Sequence, residues 1–196
     1  MSPSVVAFGA EMLPEVAAML ARAFVTNPLH EAAFGPGRLA RNEAFFRIGL
    51  AAMKGPKYVA MDNGRPAGFV HWVQAPECQF PLSEKVRGLP AMVRGFGVRS
   101  TLRVGRWLTE WSRHDPREPH VHLGPIGVDP TAQGSGVGRV LMEAYCRHLD
   151  EGASAGYLET DRPRNVAFYR RFGFEVMGEA SVLGVTSFFM RRPPRT

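Results

Sequence analysis

Cysteine is scarce in this sequence: two in 196 residues, Cys78 and Cys146. They lie far apart, with no CxxC and no Cys/His pair at metal-ligand spacing, which excludes a disulfide-built scaffold and carries no zinc-site signal. Cys146 falls in a helix-patterned run, Leu141–Cys146, and both residues are expected as reduced thiols. Long hydrophobic runs are missing too. No stretch approaches the ~20 apolar residues of a membrane-spanning helix. Met1 to Val6 shows no charged segment ahead of an apolar one. Neither membrane attachment nor a leader is therefore expected, and the cytoplasm is the expected location. Also lacking is a long Lys/Arg run interleaved with aromatics, although the net charge is +6. The basic residues cluster most densely at Arg162–Arg171 and Arg191–Arg195. Such a diffuse positive field suits an anionic small molecule with several phosphates, and the dispersed arginines make nucleic acid the weakest partner class.

What is present fits one α/β domain over residues 1–196. Hydrophobic residues make up 45% and charged residues 21%, an ordinary globular profile. Helical spacing runs from Pro14 to Phe24 and from Arg38 to Met53, with turn signals at Asn27-Pro28 and Gly55-Pro56. Tyr58–Met61 and Pro66–Val73 flank Asp62-Asn63-Gly64, and Asn-Gly between β-rich runs predicts a hairpin. Residues 76–118 read as a helical insert, Leu82–Val98 and Thr101–Ser112, broken at Pro90 and Gly95-Phe96-Gly97. From 119 to 177 the pattern becomes strand (Pro119–Val128), helix (Val137–Leu149), strand (Gly156–Thr160), helix (Asn165–Phe172) and strand (Phe174–Met177). Thr186–Met190 adds a last strand. The alternation predicts a mixed central sheet flanked by helices.

The chemistry concentrates after the strand ending at Val128. Asp129-Pro130 turns the chain, and Gly134, Gly136 and Gly138 stand at every second position before a helix. Glycines admit positive φ and close backbone approach, so several N–H groups can face one ligand at the positive end of the helix dipole. Such a loop suits phosphate or pyrophosphate, and Arg139 adds charge on the first turn. No lysine follows Gly138, which excludes a nucleoside-triphosphate P-loop, and GxGxG so late in the chain does not fit a dinucleotide fingerprint. The glycines alone leave a plain turn open.

The stretch from His122 to Val176 resembles the GNAT superfamily of N-acetyltransferases. Gln133-Gly134-Ser135-Gly136-Val137-Gly138 matches its Gln/Arg-x-x-Gly-x-Gly/Ala loop. Ile126–Pro130 resembles its splayed strand and turn. Tyr157–Thr160, followed by Asn165-Val166-Ala167-Phe168-Tyr169 through Gly173-Phe174, resembles its second motif. The resemblance implies acetyl-CoA as co-substrate, an amine acceptor, direct transfer in a ternary complex, no metal, and a possible homodimer. Backbone groups of Ile126 and Val128 would pair with the pantetheine arm. Gln133, Gly134, Ser135, Gly136, Val137, Gly138 and Arg139 would wrap the pyrophosphate. Asn165 would contact pantetheine, unless it serves only as the N-cap of its helix, and Tyr169 would protonate the departing thiolate.

Amine attack on a thioester needs a proton acceptor. Candidates are Glu159 in the strand flanking the cofactor, His120 and His122 on one face of theirs, and Glu77. Met92, Phe96, Trp107 and Trp111 form either an apolar wall for the acceptor or a core under the insert. Neither cysteine lies at a motif position, so no covalent nucleophile is assigned. Readings outside this class are a non-catalytic acyl-CoA-binding or sensory module and a basic nucleic-acid-binding domain.

Overall fold

A computed structural model describes residues 4–195. Seven strands form one sheet in the order β1-β2-β3-β4-β5-β7-β6. These are β1 (Ser4–Ala7), β2 (Lys57–Asp62), β3 (Arg65–Gln74), β4 (Val121–Val128), β5 (Gly156–Thr160), β6 (Glu175–Val182) and β7 (Val185–Arg192). Every pairing is antiparallel except β4 with β5. The β2–β3 hairpin turns at Asn63 (φ 48°) and Gly64 (φ 75°), the positive-φ pair that matches strand twist.

Two layers of helix cover the sheet. On one face α6 (Val137–Glu151) and α7 (Pro163–Arg170) bury Leu141, Tyr145, Val166 and Tyr169 against Val70, Trp72, Leu123 and Leu158. On the other, α1 (Leu13–Phe24) and α3 (Leu39–Ala52) close over Val59 and Phe69. A third cluster joins α2 (Pro28–Phe34) to α4 (Leu82–Phe96) and α5 (Val98–His114) through Leu29, Phe34, Phe96, Val104 and Trp107. None of the described helices is long and apolar enough to cross a membrane.

Several local expectations are corrected. α1 ends at Phe24, ahead of the Asn27-Pro28 turn as expected, but that turn opens a further short helix, α2, with the Asn27 side chain accepting from His30 N–H at 3.4 Å. Helix α4 continues through Pro90, which is exposed. The Val86 carbonyl that loses its i+4 donor is likewise on a residue exposed to solvent. The break expected at Gly95-Phe96-Gly97 does occur, at Gly97 (φ 83°). Helix α7 begins at Pro163 with Arg162 as its N-cap, so Asn165 lies inside the first turn and caps nothing. Its amide instead donates to Thr160 Oγ1 at 3.1 Å.

Candidate active site

The parallel pair β4–β5 holds together at two positions only, Val121 with Gly156 and His122 with Tyr157. Beyond them the strands part. A bulge in β4 contributes, since Trp72 pairs with Leu123 but Val70 with Ile126, setting Gly124 and Pro125 opposite the single residue His71. Pro125 also lacks an N–H for the ladder. Downstream, Asp129 N–H donates to the Ala67 carbonyl of β3 at 2.9 Å. Successive residues of a strand point their amides in opposite directions, so the N–H groups of Ile126 and Val128 face the gap.

At the mouth of that gap lies the glycine loop. Asp129 anchors its start, because Oδ1 accepts from Thr131 N at 3.0 Å and Oδ2 takes Arg22 Nη2 at 2.6 Å. Gly134 (φ 86°) and Gly136 (φ 93°) are left-handed, the conformation that a side chain disfavours. Gly136 caps α6 with no side-chain acceptor, and the first intrahelical bond joins Val140 N to the Gly136 carbonyl at 3.1 Å. The amides of Val137, Gly138 and Arg139 therefore precede the helix ladder and point outward at the positive end of its dipole.

A cavity of about 1030 Å³ joins the gap, this loop and the insert. Ile126, Val128, Gln133, Gly134, Gly136, Gly138, Arg139 and Asn165 line it, as do His122, Glu159 and Tyr169. Ser135 and Val137 do not. The Ser135 hydroxyl turns back to the Ala132 carbonyl at 2.6 Å, and the Val137 side chain is core. Arg139 runs along its helix to Glu143 at 2.7 Å rather than across the loop. Arg162, Arg164 and Arg171 line the same cavity and add positive charge to its wall.

Tyr169 is 6% exposed, and its hydroxyl has no hydrogen-bond partner among the described residues. Burial, helped by the Asp161 carboxylate, raises its pKa and keeps the phenol protonated. Glu159 Oε2 sits 2.8 Å from His122 Nε2. His120, by contrast, is 1% exposed and is not a cavity wall. Glu77 does line the cavity. The aromatic set is both things expected of it. Phe96 and Trp107 are core of the insert, with Met92 and Trp111 packed against them, and all four line the cavity.

Sequence reasoning missed a polar cluster beside His122. Asp115, just past the end of α5, places Oδ1 at 3.1 Å from His120 Nε2, while Oδ2 accepts from Gln79 Nε2 at 2.6 Å and Cys78 Sγ at 3.3 Å. His122 Nδ1 approaches Asp115 Oδ1 to 3.4 Å but is not aligned for a hydrogen bond. Burial opposes charge on both imidazoles. Asp115 and its neighbours win, lifting His120 to about 9 and His122, through Glu159 foremost, well above its ordinary value. Burial likewise opposes the Asp115 carboxylate, and His120, His122 and Gln79 override it to hold the group ionised. Asp161 was also missed. Its two oxygens accept from Asn27 Nδ2 and Leu29 N, each at 2.7 Å, tying α2 to the end of β5. No local pattern marks either carboxylate.

The Acetyltransferase (GNAT) family model matches residues 26–174, about three quarters of the chain. The chain belongs to the GNAT acetyltransferase family. N-alpha-acetyltransferase RimI of Mycobacterium tuberculosis is 39% identical over 106 residues, covering 49% of this chain and 63% of that protein. A mycothiol acetyltransferase of Paenarthrobacter aurescens is 39% identical over 71 residues, 33% of this chain and 22% of that protein. The match thus spans under two thirds of these relatives' length. Among solved structures, an acetyltransferase of Corynebacterium glutamicum described with histone acetyltransferase HPA2 aligns over 100% of this chain and 98% of its own, with a TM-score of 0.75 and 24% identity. Arylalkylamine N-acetyltransferase 2 of Aedes aegypti aligns over 97% and 98%, with a TM-score of 0.72 and 14% identity. At those identities the likeness speaks to the fold, a single GNAT domain with a mixed seven-stranded sheet and a helical segment between β3 and β4.

Proposed function

We propose that this chain transfers an acetyl group from acetyl-CoA to a primary amine of a small molecule or peptide, by direct attack in a ternary complex. The carrying observation is the gap beyond the Val121–Gly156 and His122–Tyr157 pairs, with the free amides of α6 at its mouth. A pantetheine arm in that gap completes the unpaired edge of β4 through Ile126 and Val128, while its pyrophosphate takes the amides of the Gln133–Arg139 loop. The relatives' names agree in reaction class, since RimI and mycothiol acetyltransferases are both acetyltransferases.

The proton path follows from two side chains. Glu159, held by His122, takes the proton of the acceptor ammonium, directly or through a water. The neutral amine attacks the thioester carbonyl, and the Val128 N–H stabilises the oxyanion that forms. Collapse of the tetrahedral intermediate breaks the C–S bond, and the Tyr169 hydroxyl gives its proton to the leaving thiolate. The lining by Met92, Phe96, Trp107 and Trp111 favours an acceptor with an apolar or aromatic body. No covalent acyl-enzyme is needed.

Thermal unfolding tests the binding half. Acetyl-CoA at 100 times its dissociation constant adds about 2.7 kcal/mol. That raises the melting temperature of a domain this size by roughly 5–10 °C. DNA gives no shift. Absence of an acetyl-CoA shift sinks the proposal, and a shift without thiol release across an amine panel favours the non-catalytic acyl-CoA-binding reading.

A further inference from the structure

We infer that Cys78, Asp115, His120 and His122 form a tetrahedral site for a zinc-class divalent cation at the insert end of the cavity. One donor atom from each lies within 4.8 Å of the others. Sequence spacing concealed the site because its donors come from three segments: the turn after β3, the residue past α5, and the run entering β4.

The donor set is specific. Thiol, carboxylate and two imidazoles are the ligands of zinc and cobalt, whereas magnesium and calcium take oxygen alone. The spacing is near what such an ion requires. Metal–ligand lengths of ~2.0–2.3 Å at tetrahedral angles put neighbouring donors roughly 3.3–3.7 Å apart. Around the Asp115 carboxylate, His120 Nε2 lies 3.1 Å and His122 Nδ1 3.4 Å from Oδ1 and Cys78 Sγ 3.3 Å from Oδ2, and with one donor atom from each residue no pair exceeds 4.8 Å. The widest pairs need to close by only about 1 Å.

The surroundings orient each ligand as a metal site demands. His120 turns its other nitrogen, Nδ1, to the Glu118 carbonyl at 2.9 Å. His122 turns Nε2 to the Glu159 carboxylate at 2.8 Å. Both imidazoles thus aim one nitrogen inward and have the other held by an oxygen acceptor, the outer-shell arrangement that fixes a ligating tautomer. Gln79 Nε2 fixes the Asp115 carboxylate at 2.6 Å. The inward nitrogen of His122 is a buried atom with no hydrogen-bond partner among the described residues, a cost that a metal bond removes.

The frame is rigid. Tyr157 Oη donates to the His114 carbonyl at 3.1 Å, and Trp111 Nε1 to Ser187 Oγ at 3.0 Å, so the end of α5 is tied to β5 and β7. The Ala75 N–H and the Gln74 side chain both donate to the His120 carbonyl, at 3.0 and 2.9 Å, binding the Cys78 turn to β4. Four protein ligands close the coordination sphere, so the ion is structural. It clamps the insert to the sheet where β4 and β5 begin to part, and it leaves the Nε2–H of His122 on Glu159.

Cobalt substitution tests this directly. The full chain, stripped with chelator, takes up one Co2+ with the strong visible absorption of a tetrahedral ion and a near-ultraviolet thiolate-to-cobalt band, both erased by Zn2+. Cys78→Ser abolishes the near-ultraviolet band and keeps the visible one, whereas Cys146→Ser alters neither. Asp115→Asn and His120→Ala each weaken Co2+ binding by about tenfold or more. Circular dichroism and the melting temperature in chelator establish that each variant is folded, and Asp115→Asn preserves side-chain shape should His120→Ala fail. No uptake by the wild type overturns the site. So does a thiolate band that survives Cys78→Ser, or affinity unchanged in both Asp115→Asn and His120→Ala. The readout is independent of acetyl-CoA binding.

Discussion

Replacing Tyr169 by phenylalanine removes one oxygen from the cavity wall and leaves the ring that packs into the core. That ring is buried with Val166 and Phe174, and the hydroxyl has no partner among the described residues. No hydrogen bond within the chain is lost, so stability should change by no more than about 0.5 kcal/mol, and the melting temperature by a few degrees at most. Catalysis should change far more. A positioned general acid contributes typically 10²–10⁴-fold, about 2.7–5.4 kcal/mol of transition-state stabilisation. The loss should fall on kcat, with the KM for acetyl-CoA within a few-fold of wild type, because the missing proton matters only as the C–S bond breaks. The assay is steady-state release of free thiol with one saturating amine, paired with a melting curve of the same preparation. A variant that keeps its melting temperature and turns over within threefold of wild type refutes Tyr169 as the acid. An acetyl adduct on the chain, seen by intact mass after incubation without amine, refutes direct transfer.

Gly136→Ala imposes a Cβ on a left-handed residue at the N-cap of α6. It should cost about 1–2 kcal/mol of stability and weaken acetyl-CoA measurably in calorimetry, although no neighbouring atom lies within 4 Å of the added carbon. Gly127→Ala acts through packing instead: its Cβ would fall 2.6 Å from Leu20 Cδ2 and 2.9 Å from Phe24 Cε2. The expected result is about 1–3 kcal/mol lost in chemical denaturation, with β4 pushed from α1. Glu159→Gln should lower kcat by about 10²–10⁴ while leaving the acetyl-CoA dissociation constant unchanged. His30 predicts an acid sensitivity. Desolvation, helped by the Arg162 charge and only partly offset by Asn42, lowers its pKa from 6.5 to about 4 in the folded chain. The unfolded chain binds the extra proton between those values, so this contribution is present above pH 6.5 and is lost as pH falls through 4. The loss amounts to about 3 kcal/mol. Denaturation of His30→Gln against wild type between pH 7 and 4 should show the smaller slope in the variant.

The sequence by itself determined what local backbone chemistry controls. Asn63-Gly64 specifies a positive-φ hairpin turn, Gly134 and Gly136 specify left-handed residues before α6, and the period of apolar residues marks α1, α3 and α6. These features are set within a turn or two of chain, where φ/ψ preference and side-chain period act. Local rules misjudged the places where solvent or capping decided, as at Pro90 in α4 and Arg162 ahead of α7. Only the tertiary structure decided which distant groups meet. Arg22 reaches Asp129 across 107 positions and Asn27 reaches Asp161 across 134. The gap between β4 and β5 opens beyond their two paired positions, where the bulge at Gly124-Pro125 interrupts β4. Cys78, Asp115 and the His120/His122 pair converge from three separate segments. Such meetings depend on loop closure and on the packing of α5 against β5 and β7, and no short window of sequence encodes either.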